Sequence, residues 1–266
     1  MNEKVSILMG AYNCGGTLAA AVRSIMKQTY KNWELIICDD GSKDNTYETA
    51  ERLAAEDDRI IVIRNETNLG LNVTLNNCLK QASGDYVARM DGDDECLPDR
   101  FEKQVRFLRE NPEFDIVSSW MSLFDESGEW GMQKTPEYPT PAQVVTGSPI
   151  CHAPVMIRRE CIDRAGGYSE ESYTLRVEDV DLWIRLYSMG CRAYNIQEPL
   201  YRMRNDKNAF SRRKYMYRVN STKVRLKGCR LLHLGPKCYL KAFKPMIKGL
   251  VPARIRARLT KKRRGV

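Results

Sequence analysis

The chain has 266 residues, 42% of them hydrophobic, which suffices for one full core with an appendage but is short for two large independent domains. Nine scattered cysteines without a Cys-x-x-Cys pair indicate a reducing compartment and argue against a disulfide framework. The net charge is +9, and no uncharged apolar run approaches the roughly 20 residues of a membrane span, so we expect a cytoplasmic protein that does not cross a bilayer.

Strands and helices are predicted to alternate over the first 121 residues. The predicted strands cover residues 5–11, 34–39, 60–64, 86–90 and 115–121. The predicted helices cover residues 17–28 with Thr17 as N-cap, residues 46–56, residues 73–82, and a segment that begins at Pro98. Such alternation predicts an α/β fold of βαβ units around a Rossmann-like, mostly parallel central sheet flanked by helices.

The pattern loosens after residue 121 into a proline-rich stretch and then resumes. A strand is predicted over residues 150–157, a turn over 166–168, and a helix over 178–188 that Gly190 ends. We therefore expect one main domain with a second, less regular half.

Two groups of acids follow predicted strands directly. Asp39 and Asp40 close the second strand, and the segment Asp91-Gly92-Asp93-Asp94 closes the fourth. Ligands of open α/β sheets bind at the carboxyl ends of the strands, and adjacent like charges destabilise each other unless a cation or ligand relieves them. The acids therefore predict a nucleotide and divalent-metal site. Taken singly, each group also fits a turn with Asx hydrogen bonds or a helix cap.

The turn after the first strand reads GAYNCGG over residues 10–16. It contains neither the Gly-x-Gly-x-x-Gly fingerprint of dinucleotide sites nor the Gly-Lys-Ser/Thr of phosphate loops. An aromatic ring and an amide stand in their place, which suits a base or ribose better than a bare phosphate.

Seven segments in chain order carry a family resemblance. They are VSILMGAYN (5–13), SIMKQTY (24–30), WELIICDDGS (33–42), NLG (68–70), SGDYV (83–87), DGDD (91–94) and EDVDLWIRL (178–186). Together they resemble the inverting, nucleotide-sugar-dependent glycosyltransferases of family 2, which have the GT-A fold. Within that family the chain is similar to bacterial exopolysaccharide and capsule enzymes, including one associated with biofilm matrix synthesis.

The resemblance implies a donor site. It assigns the nucleoside pocket to Ala11, Tyr12 and Asn13, places Asp40 as the acceptor of a hydrogen bond from the base, and favours a uridine donor. Asn68, Gly70 and Asp91 would complete the nucleotide-sugar site, with Asp91 facing the ribose or the donor sugar. Asp93 would coordinate the metal, and hard oxygen ligands suit Mg²⁺ or Mn²⁺.

The resemblance also implies an acceptor side. Asp179 would be the general base, with Glu178 beside it, although both acids also fit the first turn of an ordinary helix. His152 is a candidate for contact with the acceptor or a phosphate, and a hydrogen-bonded core histidine is its alternative. Arg202 and Arg204 lie in a segment where relatives commonly carry histidine, so a diphosphate contact and a surface charge both stay open.

The expected organisation is a GT-A domain over residues 1–205, with a nucleotide-sugar-binding half (1–121) and an acceptor-side half (122–205). Residues 206–266 form a basic tail: residues 207–266 hold 20 Lys and Arg and no acid, whereas residues 1–206 carry a balance of −11. Apolar residues recur at helical spacing in this tail, with lysines on the opposite side and a kink expected at Pro245. The apolar set is Tyr239, Phe243, Met246, Ile247 and Leu250, and the lysines are Lys237, Lys241, Lys244 and Lys248.

A basic amphipathic helix of this kind suits the anionic inner face of the cell membrane, where a lipid-linked acceptor would be found. Packing of the stripe on the domain and nucleic-acid binding are the alternatives, and the second is disfavoured because aromatic residues are sparse among the basic ones.

The predicted reaction is metal-assisted single displacement with inversion, in which the sugar passes from a nucleotide-sugar to a growing, lipid-linked exopolysaccharide or capsule acceptor. A different class of function also fits, namely a glycosyltransferase scaffold that regulates a protein partner through its basic tail. A nucleotidyltransferase is disfavoured because no basic glycine-rich phosphate loop is present.

Overall fold

The computed structural model describes residues 3–205 and 215–250. Its strands are β1 (Val5–Ala11), β2 (Trp33–Asp39), β3 (Ile60–Arg64), β4 (Tyr86–Arg89), β5 (Glu95–Cys96), β6 (Ile116–Asp125), β7 (Gly128–Gln133), β8 (Met156–Arg158) and β9 (Ala193–Arg204). Its helices are α1 (Gly15–Met26), α2 (Thr46–Ala54), α3 (Leu71–Gln81), α4 (Arg100–Glu110), α5 (Pro141–Thr146), α6 (Arg159–Arg164), α7 (Glu178–Ser188), α8 (Tyr215–Leu231), α9 (Pro236–Ala242) and α10 (Lys244–Leu250), with a 3-10 turn at Ser172–Thr174.

The strands form a single mixed sheet in the order β3-β2-β1-β4-β8-β6-β9-β5, with β7 paired on β6. Strands β1 to β4 are parallel to their neighbours within this group. Strand β8 runs antiparallel to both β4 and β6, whereas β6 and β9 are again parallel. The parallel character predicted from the sequence therefore belongs chiefly to the first half of the chain.

Helices cover both faces of the sheet, and strand β1 shows how the sequence allows this. Its successive side chains point to opposite faces, and both faces are buried: Ile7 belongs to one apolar cluster and Leu8 to the other. The first cluster is closed by α1 and α4, and the second by α3, α7 and α8. A strand buried on both sides reads as a continuous apolar run, as β1 does.

Helix α8 packs tightly against α7. A Cβ added at Gly228 would lie 2.5 Å from Cδ1 of Ile184, so glycine permits the close approach of the two helices. The buried Arg225 guanidinium donates hydrogen bonds to the carbonyl oxygens of Val145 and Gly147. Part of the segment predicted as a basic tail thus contributes to the core of the domain.

The following helices α9 and α10 are separated at Phe243, two residues before Pro245, where a kink was expected. The predicted apolar stripe divides: Tyr239 is partly buried against the second cluster, while Phe243 and Ile247 are exposed. Leu240, which the predicted stripe did not include, is also exposed. The side chain of Leu250 and the basic run from residue 251 onward lie outside the described residues.

Three predicted local features are wrong. Helix α1 begins two residues before Thr17, whose hydroxyl donates to the carbonyl oxygens of Cys14 and Gly92 and does not act as an N-cap. Helix α4 begins at Arg100 and not at Pro98. The strand expected over residues 150–157 is confined to Met156–Arg158. Within the described ranges, no helix is both long and apolar enough to cross a membrane.

Candidate active site

The carboxyl ends of β1, β2 and β4 meet at one edge of the sheet because these strands are parallel neighbours, and the predicted donor residues follow them. Ala11 ends β1, where its carbonyl oxygen accepts the backbone N–H of Asp40 at 2.8 Å. The buried Asp40 carboxylate accepts the backbone N–H groups of Leu69 and Gly70, at 2.8 and 2.9 Å, and the side-chain amide of Asn65 at 2.8 Å. Asp40 therefore fixes the loop that carries the predicted donor contacts Asn68 and Gly70.

Close packing also fixes the turns on this side. Asn13 lies in the left-handed region at φ 50°, its N–H donates to the Ser42 hydroxyl at 3.0 Å, and its side-chain oxygen accepts the N–H of Lys43 at 2.8 Å. Gly41 has φ 67°, and a Cβ there would lie 2.7 Å from the backbone of Thr67. The exposed Tyr12 ring stands beside these turns, so an aromatic face borders a rigid pocket rim.

The Asp91-Gly92-Asp93-Asp94 segment follows β4 and is anchored from three sides. The Asp91 N–H donates to the Tyr201 hydroxyl at 3.1 Å, and the Asp94 carboxylate accepts the N–H of Arg204 at 2.7 Å. Gly92 approaches α1 so closely that a Cβ there would lie 2.8 Å from the Cys14 sulfur. This segment is a turn between β4 and β5 and not a cap for α4, whose preceding residue is Asp99.

The electrostatics of this segment favour a cation. Asp93 is open to solvent at one edge, but the walls of the crevice desolvate its carboxylate and Asp91 repels it, which together raise its pKa to about 6. Burial and the charges of Asp91 and Asp93 raise the pKa of Asp94 well above its ordinary value. A carboxylate held beside like charges is stabilised by a bound cation.

The acids predicted for the acceptor side open α7. The Asp179 carboxylate accepts the backbone N–H of Val180 at 2.8 Å. Burial and then the charge of Asp179 raise the pKa of the neighbouring Glu178 to about 7. Within the helix Asp181 forms an ion pair with Arg185 at 2.7 Å, and the Arg185 guanidinium donates a hydrogen bond to the Ala165 carbonyl oxygen at 2.6 Å, which ties α7 to the end of α6.

Arg89, at the end of β4, connects the two groups of acids. Its buried guanidinium forms an ion pair with Asp91. Burial lowers its pKa, but the charges of Asp91, Tyr201, Tyr168 and Glu178 outweigh this and leave the pKa above its ordinary value. Asp91 on the donor side and Glu178 on the acceptor side therefore both act on one cation.

His152 lies next to this cation. Its Nε2 is 2.9 Å from the Tyr168 hydroxyl, and its ring packs edge-on against Trp183 at 5.7 Å between centroids. Burial and the Arg89 charge lower the pKa of His152 well below its ordinary value, so the ring is neutral. These contacts are those of a hydrogen-bonded histidine at the wall of the site.

The two arginines of β9 differ. The Arg202 guanidinium pairs with Glu95 and, at 2.9 Å, with Glu129. Both guanidinium groups lie 4.8 Å from the centre of the Phe124 ring, but the buried Nε of Arg204 has no hydrogen-bond partner within residues 3–205 and 215–250. Arg204 also acts electrostatically on Asp93, so it is the arginine of the two that retains a donor near the acids.

Residues 6–164 match the sequence pattern described as Glycosyl transferase family 2. The chain belongs to glycosyl transferase family 2. This confirms the family resemblance given by the motifs, and with it the class of activity. Other members are similar over most of the chain. EpsE of Bacillus subtilis (strain 168), named as a glycosyltransferase, is 44% identical over 261 residues, which cover 98% of this chain and 94% of EpsE.

A second family relative is from Escherichia coli and is named UDP-Glc:alpha-D-GlcNAc-diphosphoundecaprenol beta-1,3-glucosyltransferase WfaP. It is 32% identical over 193 residues, covering 73% of this chain and 74% of WfaP.

Solved structures confirm the GT-A fold. S. aureus TarS 1-349 in complex with UDP-GlcNAc superposes with a TM-score of 0.71 at 19% identity, covering 92% of this chain and 71% of TarS. The mannosyltransferase PcManGT from Pyrobaculum calidifontis, in complex with GDP-Man and Mn²⁺, superposes with a TM-score of 0.64 at 18% identity, covering 98% of this chain and 76% of PcManGT.

Sequence reasoning missed Arg89, Tyr168 and Tyr201. A signal for the first was present, because an arginine interrupts the otherwise apolar strand between Ala88 and Met90. A charge inside a strand that is buried on both faces needs partners, and its partners here are the site acids. No local signal marks the two tyrosines, since their role depends on β9 and the α6–α7 segment folding back onto β4.

Proposed function

We propose that this family 2 glycosyltransferase moves a sugar from a UDP-sugar to a lipid-linked saccharide acceptor, with inversion, in the synthesis of an exopolysaccharide or capsule. The observation that carries the proposal is the approach of the strand-end acids and the α7 acids to one buried cation, Arg89. The relatives support a UDP-sugar donor and a lipid-linked acceptor, because WfaP is named for UDP-Glc and a diphosphoundecaprenol-linked acceptor, and TarS binds UDP-GlcNAc.

The donor would lie across the carboxyl ends of β1, β2 and β4. Its base would stack near Tyr12 and contact Asn13 and Asp40; three hydrogen bonds leave the Asp40 carboxylate one of its roughly four acceptor positions for an imide N–H. Asp91, held by Arg89, would face the ribose or donor sugar. The unpaired Nε of Arg204 would meet the diphosphate.

Asp93 fits a hard divalent cation, because an oxygen ligand with a raised pKa beside further carboxylates gains stability when a positive charge arrives. Asp93 would hold Mg²⁺ or Mn²⁺, as the Mn²⁺ complex of PcManGT suggests by analogy. The ion, when bound, supplies positive charge that stabilises the departing diphosphate.

Asp179 is the proposed general base. A displacement that inverts the anomeric carbon needs a base on the face opposite the leaving group, where it takes the proton of the attacking acceptor hydroxyl. Asp179 is half-buried and fixed at the start of α7, so its carboxylate is oriented before the acceptor arrives. Glu178, whose pKa is raised to about 7, is only partly ionised at neutral pH, so a smaller fraction of it is available as a base.

A donor screen tests the proposal. Thermal unfolding would be followed with UDP, GDP and a set of UDP-sugars, each with Mn²⁺, Mg²⁺ or EDTA. We expect stabilisation by UDP compounds that depends on the metal, and then transfer of one UDP-sugar to a polyprenyl-diphosphate-linked saccharide with inverted anomeric configuration by NMR. Stabilisation by GDP alone, or equal stabilisation in EDTA, would contradict the donor and metal assignments.

We further propose that α9 and α10 hold the enzyme on an anionic membrane surface. Leu240, Phe243 and Ile247 expose apolar surface, and the neighbouring lysines Lys237, Lys241 and Lys244 are exposed as well. Exposed apolar groups bordered by cations suit the headgroup region, where each Lys contributes about 1 kcal/mol.

Full-length protein and vesicles with and without anionic lipid would test this. Glu substitution of Lys237, Lys241 and Lys244 should remove most low-salt binding, whereas Glu substitution of the exposed Lys80 and Arg106 should leave it within about twofold. Deletion is the poorer experiment, because α8 and the buried Ala242 belong to the core. Equal binding by both charge variants, or none by wild type, would refute membrane attachment through these helices.

A further inference from the structure

Three metal-ligating side chains meet at the edge of the sheet opposite the candidate active site. Asp115 precedes β6, Cys161 lies in α6, and Cys191 lies between α7 and β9. One oxygen of Asp115 and the two sulfurs all lie within 4.8 Å of one another, and both thiols are buried. This cluster, the Asp115–Cys161–Cys191 site, has no part in the proposed sugar transfer.

We propose that the Asp115–Cys161–Cys191 site binds one zinc ion, with a water as fourth ligand. Thiolates select soft or borderline cations, and zinc accepts both thiolate sulfur and carboxylate oxygen as ligands. Zinc bonds of about 2.3 Å to sulfur and 2.0–2.2 Å to oxygen place tetrahedral ligand atoms about 3.5 Å apart. The Cys161 sulfur already lies 3.3 Å from the Asp115 oxygen.

Neighbouring groups contact two of the three ligand residues and hold them in place. The backbone N–H of Arg192 donates to the other Asp115 oxygen at 2.9 Å, which directs the free oxygen toward the sulfurs. The Arg164 guanidinium lies 3.5 Å from the Cys191 sulfur. Two thiolates and a carboxylate exceed the charge of Zn²⁺ by one, and Arg164 balances that excess. Such outer contacts orient ligands and tune affinity.

The site can be reached from solvent. Cys191 and Arg192 line a cavity of about 310 Å³ together with Phe114, Tyr138, Tyr187 and Ala193. Zinc binds the thiolate form of cysteine, so both thiols must release their protons as the metal binds, and affinity should therefore fall as the pH is lowered.

A bound ion would connect α6 with the carboxyl end of α7. Cys161 and Cys191 are 30 residues apart, and the segment between them contains the turn with Tyr168 and the proposed base Asp179. A bound ion would therefore link the two ends of the segment that forms the proposed acceptor side. Closing a loop of this length lowers the entropy of the unfolded chain and stabilises the fold. The site would thus be structural and separate from the hard-cation site at Asp93.

Zinc binding by the full-length, reduced protein tests the proposal, with a chromophoric chelator as competitor and excess Mg²⁺ present. We expect one zinc per chain, a zinc-dependent rise in Tm, and a Co²⁺ derivative with a sulfur-to-metal charge-transfer band. Cys161→Ser and Cys191→Ser should each weaken binding by at least about a hundredfold, and Asp115→Asn by at least about tenfold.

Two matched controls separate this site from others. Cys238→Ser changes a thiol outside the cluster, and Asp93→Asn changes the proposed catalytic metal site; both should keep zinc affinity within about twofold. Loss of zinc binding in either control would overturn the assignment. If a cysteine variant does not fold, the wild type decides: a stoichiometry below one, no charge-transfer band, or a reducible Cys161–Cys191 disulfide in freshly purified protein would refute a zinc site.

Discussion

Asp40 and Asp179 are the acids proposed for the donor and the acceptor, and their carboxylates are held differently. Asp40 is buried and accepts three hydrogen bonds from a loop about 30 residues away in sequence. Asp179 is half-buried and accepts the N–H of its own neighbour, Val180. The acid of the proposed donor side is therefore held by long-range contacts of the fold, whereas the acid of the proposed acceptor side is held locally, in the first turn of α7. Substitution of Asp40 should therefore mainly lower stability, and substitution of Asp179 should mainly lower turnover.

The largest effect is expected on the acceptor side. Asp179→Asn keeps the shape and removes the basicity, so kcat should fall by at least about 10², with UDP affinity within about threefold. Stability should change little, because the lost contact is local. Steady-state transfer kinetics and calorimetric UDP titration measure both quantities, and Asp163→Asn, on an exposed face of α6, is the matched control. An active variant would assign the base elsewhere, with Glu178 first.

A second effect is expected in donor affinity. Asp93→Asn removes the proposed metal ligand, so UDP affinity in Mn²⁺ should fall by at least about tenfold. Wild type in EDTA should fall to a similar value, because both changes remove the same positive charge from the diphosphate. Calorimetry with the exposed Asp58→Asn as control measures this. Metal-dependent binding that survives in Asp93→Asn would mean that another acid holds the ion.

A third effect is expected in stability. Asp40→Ala leaves the N–H groups of Leu69 and Gly70 and the amide of Asn65 without their acceptor, and the loss should lower the free energy of unfolding by about 3 kcal/mol. The exposed control Asp58→Ala should change it by less than about 0.5 kcal/mol. Urea unfolding measures both. If Asp40→Ala is as stable as wild type, the donor loop is not held by this carboxylate.

The sequence predicted best those elements whose burial shows as a local run of apolar residues. Strands β1 and β3 and helix α7 were predicted to the residue, and β2 and β4 to within one, because buried strands between helices read as short apolar runs. The prediction over residues 150–157 was wrong because Cys151 is buried without pairing in the sheet; its carbonyl oxygen accepts the Ser118 hydroxyl at 2.8 Å. Burial and strand pairing are different constraints, and hydrophobicity reports only the first.

The site residues likewise divide into those that the sequence predicted and those that it did not. Asp40 and Asp93 follow the carboxyl ends of β2 and β4, as the sequence predicted, and their chemical roles stay predictions. Arg89, Tyr168 and Tyr201 were not predicted, because their proximity depends on long-range packing. The buried part of the basic tail was missed for a related reason: the buried face of α8 includes Ser221, Thr222 and Gly228, which carry no hydrophobic periodicity.

The smallest effect is a pH dependence on the acceptor side, and it tests the burial of Glu178. Its pKa is about 7 in the folded protein and 4.5 ordinarily, so between these values the folded state binds more protons than the unfolded state. Stability due to this group is therefore full below pH 4.5 and is lost as the pH rises to about 7. Glu178→Gln, which cannot ionise, should gain at least about 1 kcal/mol over wild type at pH 8 and nothing near pH 4.5. Urea unfolding at both pH values measures the difference, and the exposed Glu171→Gln should show none. A difference that does not change with pH would mean that folding does not raise the pKa of Glu178.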